Sequence, residues 1–274
     1  MITKTELGTA REWVDAGGLR TYYEAGGDGD PLLMLHGGFA TVETFADFTP
    51  RFTGRHRVYS PERRAHGRMP DPGGPLTYEV MAEDTIAFLD ALGIGPAHLV
   101  GWSDGANVAL IVALRRPDLV RKLVIIGTAV NLAGGTPFAR AMSTQMTVDH
   151  LPPMLVAAYG ALSPDGPEHL PVVFDRLIRA LAETTLELAD LARIPAPTLI
   201  MAADDDLVSI SHLEAMRDAL PDAQLAIVPG TSHALPLEKP ALTAQLILEF
   251  LDDEQVTRMM PTRVTAAENV SPEP

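Results

Sequence analysis

The chain has no cysteine among its 274 residues, which excludes disulfides, thiolate metal ligands and a cysteine nucleophile. Basic residues are also few, since 21 Lys and Arg face 36 Asp and Glu for a formal net charge of −15. That charge opposes nucleic-acid binding, which depends on basic patches. No apolar run reaches the roughly 18 residues of a membrane span, and the first residues lack the pattern of a secretory signal. We expect a cytoplasmic protein with no nucleic-acid or membrane partner, while nothing in the sequence indicates its oligomeric state.

Short apolar runs alternate with helical patterns along most of the chain. The strand candidates are residues 11–14, 19–24, 32–35, 56–60, 97–100, 122–126, 198–202 and 224–228. Helical patterns cover about 42–52, 77–92, 106–116, 211–220 and 240–251. Strands alternating with helices at this spacing predict an α/β fold with a doubly wound, mostly parallel, eight-stranded sheet. In the helix over 77–92, Thr77 is a candidate cap, and the apolar stripe consists of Val80, Ile86, Leu89 and Leu92.

The strand signal disappears between residues 131 and 193, where helical patterns are interrupted by prolines. A helical insertion of this size suits a cap over a binding site. The prediction is therefore an α/β core over residues 1–130 and 194–252, with a helical cap over 131–193 inserted after the sixth strand. Residues 253–274 are polar and lack a sustained period, which predicts a mobile tail.

The pentapeptide from Gly101 to Gly105 has the pattern G-x-S-x-G and stands between a predicted strand and a predicted helix. A serine on a sharp strand-to-helix turn leaves no room for bulky neighbours, so glycine occupies the position two residues away on each side. The N-terminus of the following helix directs its free N–H groups at negative charge that forms beside the serine. This context predicts Ser103 as a nucleophile.

A serine hydroxyl needs a base, and a carboxylate holds that base in the right tautomer. His233 follows the last predicted strand, at the sheet edge where sites form in open α/β sheets. His212 is the nearest rival, but it lies inside a helical pattern and is expected on the surface. The acid is expected after the strand 198–202, within Asp204-Asp205-Asp206. Counting from the strand favours Asp206, and counting back from the next helix gives Asp205 some support.

Acyl transfer also requires donors for the tetrahedral oxyanion. One donor is predicted to be the backbone N–H of Asp104, directly after the nucleophile. The other is predicted in the turn from His36 to Phe39, at the N–H of Gly38. Phe39 and Trp102 are candidates to line the substrate pocket, although packing in the core is an equally good role for both.

Together these motifs resemble the α/β-hydrolase superfamily over residues 11–251. The resemblance rests on five segments: His36-Gly37-Gly38, Arg64-Ala65-His66-Gly67-Arg68, Gly101 to Gly105, Asp204 to Asp206 and Gly230-Thr231-Ser232-His233. It implies a triad of Ser103, His233 and Asp206, an acyl-enzyme intermediate, and no metal or other cofactor. The helical insertion is similar to that of the esterase, lactonase and meta-cleavage hydrolase branch. Asp104 is an unusual residue beside the nucleophile, and its carboxylate would disfavour anionic substrates if it pointed inwards.

The function expected is hydrolysis of a carboxylic ester or lactone on a small-molecule substrate. Apolar and Met-rich residues in the predicted cap favour a largely hydrophobic substrate. A carbon–carbon bond hydrolase and a cofactor-free haloperoxidase or perhydrolase use the same triad and remain alternatives. A protein of this fold that only binds a ligand is the alternative outside enzymes. Serine at the nucleophile position argues against dehalogenase and epoxide hydrolase chemistry, and the metal and nucleotide motifs H-E-x-x-H and Walker A do not occur.

Overall fold

The computed structural model describes residues 10–184, 186–252 and 259–260. Its strands are β1 (Ala10–Ala16), β2 (Leu19–Gly26), β3 (Asp30–Leu35), β4 (His56–Pro61), β5 (Ala97–Trp102), β6 (Val120–Ile126), β7 (Thr198–Asp205) and β8 (Ala223–Ser232). They form one sheet in the order β1-β2-β4-β3-β5-β6-β7-β8. The β1–β2 and β2–β4 pairs are antiparallel, and all later neighbours are parallel. The predicted α/β fold with a mostly parallel eight-stranded sheet is confirmed.

Helices connect the parallel strands and cover the sheet. In the described chain they are α1 (Tyr78–Leu92), α2 (Asp104–Arg115), α3 (Pro137–Gln145), α4 (Pro153–Leu162), α5 (Leu170–Glu183), α6 (Ile210–Ala219), α7 (Leu235–Glu238) and α8 (Pro240–Leu251). Alternate residues of a strand point to opposite faces, so Leu33 and Leu35 pack in the cluster that holds α1 and α2. Leu32 and Met34 pack on the other face, in the cluster that holds α8. Two apolar layers therefore sandwich the sheet.

The chain between β6 and β7 contains α3, α4 and α5 and short 3-10 turns. Along residues 10–184 and 186–252, no helix combines the length and the apolar character that crossing a membrane requires. The predicted tail, residues 253–274, lies outside the described residues except at 259–260.

The helix predicted over residues 42–52 is wrong. The segment instead forms two 3-10 turns, Val42–Phe45 and Thr49–Arg51. Pro50 has no N–H for a helical hydrogen bond and clashes with the preceding turn. Phe45, Phe48 and Phe52 are all buried against the sheet. Their spacing of three and four residues resembles the apolar face of a helix, which is why the sequence predicts one.

Helix α1 begins as predicted, because the Thr77 side chain accepts a hydrogen bond from the Val80 N–H. Its buried face differs from the prediction. Of the four residues in the predicted stripe only Leu89 is buried; the buried residues of the helix are Tyr78, Met81, Ala82, Thr85, Phe88 and Leu89. The helix packs against both α2 and β1, so its orientation is set by two neighbours that periodicity does not reveal.

Candidate active site

Ser103 lies at the tip of the turn between β5 and α2. Its backbone has φ +54° and ψ −121°, a conformation that a non-glycine residue adopts only when its surroundings enforce it. The Ser103 N–H donates to the Ile126 carbonyl at 2.8 Å. A Cβ on Gly101 would overlap the backbone of Gly105, and a Cβ on Gly105 would overlap the carbonyl of Leu35. Both glycines of the pentapeptide are thus required by close backbone approach.

His233 directly follows β8 and stands between the predicted nucleophile and the predicted acid. Its Nε2 lies 3.0 Å from the Ser103 Oγ, and its Nδ1 lies 2.7 Å from the Asp206 Oδ1. These distances fit the tautomer in which Nδ1 donates to the carboxylate and Nε2 accepts from the hydroxyl. Three residues separated by up to 130 positions along the chain therefore form one line of hydrogen bonds.

The Asp206 carboxylate is buried directly after the end of β7. Its oxygens accept hydrogen bonds from the N–H groups of Ala203 and Leu207 at 2.9 and 2.7 Å. Burial alone would raise the pKa of Asp206, but the hydrogen bonds from His233 and the backbone outweigh it and lower the pKa. Asp205 is exposed, and Asp204 accepts from the Thr231 N–H at 3.1 Å. Of the three adjacent carboxylates, Asp206 is the one that meets His233.

The predicted oxyanion donors lie on the two segments that flank Ser103. Within the described chain, the N–H groups of Gly38 and Asp104 take no part in the backbone hydrogen bonds outside helices and strands. An added Cβ on Gly37 would lie 3.4 Å from the Ser103 Cβ, so the turn after β3 runs directly beside the serine. That these two N–H groups bind the oxyanion stays a prediction.

Neither predicted pocket aromatic lines the cavity above Ser103. Trp102 is buried, and its Nε1–H donates to the His233 carbonyl at 2.8 Å. Phe39 stacks on Phe174 of α5 with ring centroids 5.5 Å apart. Trp102 thus holds the backbone of the predicted base, and Phe39 connects the turn after β3 to the helical insertion.

The Asp104 side chain points towards the turn after β3. Its Oδ1 accepts from the Tyr78 hydroxyl at 2.7 Å, and a Cβ on Gly38 would collide with its carboxylate. Arg63 is buried nearby and donates to the Gly37 carbonyl at 2.8 Å. Sequence reasoning missed Tyr78 and Arg63. The one feature of the sequence that could have indicated them is Asp104, because an acid beside the nucleophile needs a hydrogen-bond donor or a cation nearby.

A cavity of about 110 Å³ opens beside Ser103 and His233. The helical insertion contributes Met142, Met146 and Ile178, and the core contributes polar groups at Asn107 and Thr128. Apart from His233, the described lining contains no basic side chain, and its acid is Asp104. The site is therefore a mostly apolar pocket with a carboxylate near the serine.

His212 is not the surface residue that the sequence predicts. It lies in the first turn of α6, where its Nε2 accepts from the Val130 N–H at 3.3 Å. A Cβ on Gly134 would overlap its ring, and burial lowers the pKa of His212. It packs the start of the helical insertion onto the core. Among the described residues, no group of three or more His, Asp or Glu side chains is placed to hold a metal ion.

The site and the sheet together define a hydrolase of the α/β class, and comparison with known proteins identifies the family. The model of the alpha/beta hydrolase family matches residues 32–246. The chain belongs to this family.

Relatives of the chain are named for different hydrolytic reactions. It is 30% identical to a putative carbamate hydrolase, RutD, of Caulobacter sp. (strain K31), over 81% of this chain and 91% of that protein. It is 28% identical to the 2-hydroxymuconate semialdehyde hydrolase of Pseudomonas sp. (strain CF600), over 86% and 92%. The structure of Est816, described as an N-acyl homoserine lactone degrading enzyme, matches with a TM-score of 0.72 at 25% identity, over 87% of this chain and 100% of that one. The chain is an enzyme of the hydrolase class that acts on small molecules.

Proposed function

We propose that the protein is a serine hydrolase that cleaves a carboxylic ester or lactone of a small, largely hydrophobic substrate. The observation that carries the proposal is the hydrogen-bonded line from Ser103 through His233 to Asp206, which ends in an apolar cavity. A histidine nitrogen 3.0 Å from a serine hydroxyl is the arrangement that activates the nucleophile.

In the acylation step, the Ser103 Oγ attacks the carbonyl carbon while its proton passes to the His233 Nε2. The carbonyl π electrons move onto oxygen, and the oxyanion accepts hydrogen bonds from the N–H groups of Gly38 and Asp104. Asp206 stabilises the imidazolium that forms, because its carboxylate faces Nδ1 at 2.7 Å. Collapse of the intermediate breaks the ester C–O bond, and the leaving oxygen takes the proton from Nε2.

The acyl group is then bonded to the Ser103 Oγ. A water molecule replaces the departed alcohol, gives its proton to His233 and attacks the acyl carbon. The second tetrahedral intermediate releases the carboxylic acid, and the Ser103 Oγ recovers its proton. With a lactone, alcohol and acid leave as one molecule.

The cavity indicates the size and charge of the preferred substrate. At about 110 Å³ it is smaller than an engineered cavity of about 150 Å³ that holds benzene, so a compact acyl group fits it best. No Lys or Arg is among the described residues that line the cavity, so an anionic group beside the serine would find no cationic side chain to compensate its desolvation. A dienoate or muconate substrate carries such a group, so this charge pattern favours the ester or lactone over carbon–carbon bond hydrolysis.

The helical insertion serves in this proposal as a cap domain over residues 131–193, with the core over 1–130 and 194–252. Met142, Met146 and Ile178 of the insertion line the cavity together with Ser103. Closing apolar side chains over the serine excludes bulk water and strengthens the hydrogen bonds to the oxyanion.

Labelling with a fluorophosphonate probe tests the nucleophile. We expect the probe to modify Ser103, the Ser103→Ala variant to lose labelling and ester hydrolysis, and Ser211→Ala to retain both because that serine lies on α6. A panel of p-nitrophenyl esters and lactones then identifies the substrate class. Unlabelled Ser103, or ester hydrolysis that survives Ser103→Ala, would show that the protein is a ligand-binding member of the fold or uses another site.

A further inference from the structure

Arg63 is an arginine with 5% exposure that follows β4 and lies against the turn after β3. Its guanidinium donates to the Gly37 carbonyl at 2.8 Å. Its Nε has no hydrogen-bond partner among the described residues. A buried cation is costly unless a nearby negative charge compensates it, so this residue needs an electrostatic explanation.

The carbonyl that Arg63 contacts belongs to the same peptide unit as the Gly38 N–H. A charge-assisted hydrogen bond to the oxygen of a peptide polarises the unit and makes its N–H a stronger donor. In the proposed mechanism that N–H binds the oxyanion. The contact therefore connects Arg63, which is not among the residues that line the cavity, with the predicted oxyanion donor.

The Asp104 carboxylate lies against the same turn, since a Cβ on Gly38 would come within 2.5 Å of its Oδ2. A negative charge at this position would oppose the negative charge that develops on the substrate oxygen. The Tyr78 hydroxyl donates to Asp104 at 2.7 Å, but it brings no positive charge. Burial lowers the pKa of Arg63, and the negative charge of Asp104 counteracts this shift, so the two charges are close enough to interact.

We propose that Arg63 is a positioning residue that polarises the Gly37–Gly38 peptide and neutralises Asp104, so that an acid can stand beside the nucleophile without weakening oxyanion binding. This inference rests on the proposed function. If so, the two residues are coupled: the loss of kcat on replacing Arg63 depends on whether Asp104 is present.

A double-mutant cycle tests the pair. We expect Arg63→Met to lower kcat for p-nitrophenyl acetate by about 10- to 100-fold while KM stays within about threefold, since loss of a whole oxyanion donor costs about 10²- to 10³-fold. Adding Asp104→Asn to Arg63→Met should recover kcat at least about fivefold, because it removes the uncompensated charge. The single Asp104→Asn variant closes the cycle, and Arg63→Lys should retain more kcat than Arg63→Met.

Arg64→Met is the matched control, because the neighbouring arginine pairs with Asp84 at 2.5 and 2.6 Å and not with the turn. Its kcat should equal that of the wild type. If Arg63→Met is too unstable to assay, the melting temperature decides, since the double variant should melt above the single one. Additive losses of kcat, or a double variant that is no more stable than Arg63→Met, would overturn the pairing.

Failure of this inference is distinguishable from failure of the proposed function. A wild-type protein whose Ser103 neither hydrolyses esters nor reacts with a fluorophosphonate contradicts the proposed function, and the melting temperatures of the cycle still report on the charge pair. An active wild type with an equally active Arg63→Met contradicts only the inference.

Discussion

Ser103 has a positive φ of +54°, and the close backbone contacts around it leave no space for a side chain at Gly101 or Gly105. Because the added atom at position 105 would meet the rigid backbone of β3 at Leu35, we expect Gly105→Ala to cost about 1–3 kcal/mol of unfolding free energy. Urea unfolding measures the loss. Gly54→Ala is the control, since an added Cβ there meets nothing within 4 Å, and equal stability of the two variants would contradict the close approach.

Asp206 and Asp205 are adjacent carboxylates with opposite surroundings. Asp206 accepts from His233 and two backbone N–H groups, whereas Asp205 is exposed. We expect Asp206→Asn to lower kcat by about 10⁴-fold, because an amide holds the histidine in the wrong tautomer. Asp205→Asn should leave kcat within about threefold of the wild type. Steady-state kinetics of both variants decide between the two acids, and a larger loss at position 205 would reverse the assignment.

At the scale of elements, the sequence predicts best where a local pattern and the tertiary environment agree. The apolar run before Ser103 and the helix after it form β5 and α2, and the closing helix spans Pro240–Leu251. Residues 42–52 look helical only because their phenylalanines face the sheet. Arg63 and Tyr78 could not be predicted, since neither belongs to a motif and both acquire their roles from contacts with a distant segment.

Met142 of helix α3 and Met146, the residue directly after it, form part of the cavity wall. We expect Met146→Ala to enlarge the cavity and to raise kcat/KM for p-nitrophenyl hexanoate relative to acetate. Each extra methylene that becomes buried contributes about 0.8 kcal/mol, or roughly fourfold. Met154→Ala is the matched control, because that side chain on α4 is 67% exposed. An unchanged chain-length preference in Met146→Ala would contradict a binding role for this wall.

At the scale of the whole molecule, the site exists because parallel strands end at the same sheet edge. Ser103, Asp206 and His233 follow β5, β7 and β8, and the parallel pairing of β5 to β8 brings these carboxyl ends to one edge. Each residue sits on a turn that a buried strand fixes. The geometry of the proposed catalytic site therefore depends on the stability of the sheet as a unit.

That stability should depend on pH through histidines that are buried without charge. Burial is the largest cause of a lowered pKa at three histidines. The pKa of His36 lies well below its usual value, that of His66 is about 3, and that of His98 is about 4. Arg63 lowers the pKa of His36 and His66 further. At His98, electrostatic interactions with His56, Arg121 and Lys122 lower the pKa, and the interaction with Asp30 raises it.

The sign of the dependence follows from proton counts. Below the ordinary histidine pKa of about 6.5, the unfolded chain binds three protons at these sites that the folded protein excludes. Glu62 opposes them, since burial raises its pKa to about 7 and the folded protein keeps one proton there. For these four groups the net difference is two protons, so they should lower the unfolding free energy by up to about 3 kcal/mol per pH unit as pH decreases from 6.5 towards 4.5. His212, whose pKa burial also lowers, acts in the same direction.

Urea unfolding at pH 7.5, 6.5 and 5.5 measures this slope. His98→Gln removes one of the three histidines and should reduce the slope by about 1.4 kcal/mol per pH unit. The substitution should leave the ester hydrolysis at pH 7.5 unchanged, because His98 lies in β5 on the side away from Ser103. A wild type equally stable at pH 7.5 and 5.5, or a His98→Gln variant with the wild-type slope, would mean that these histidines do not govern the acid sensitivity of the fold.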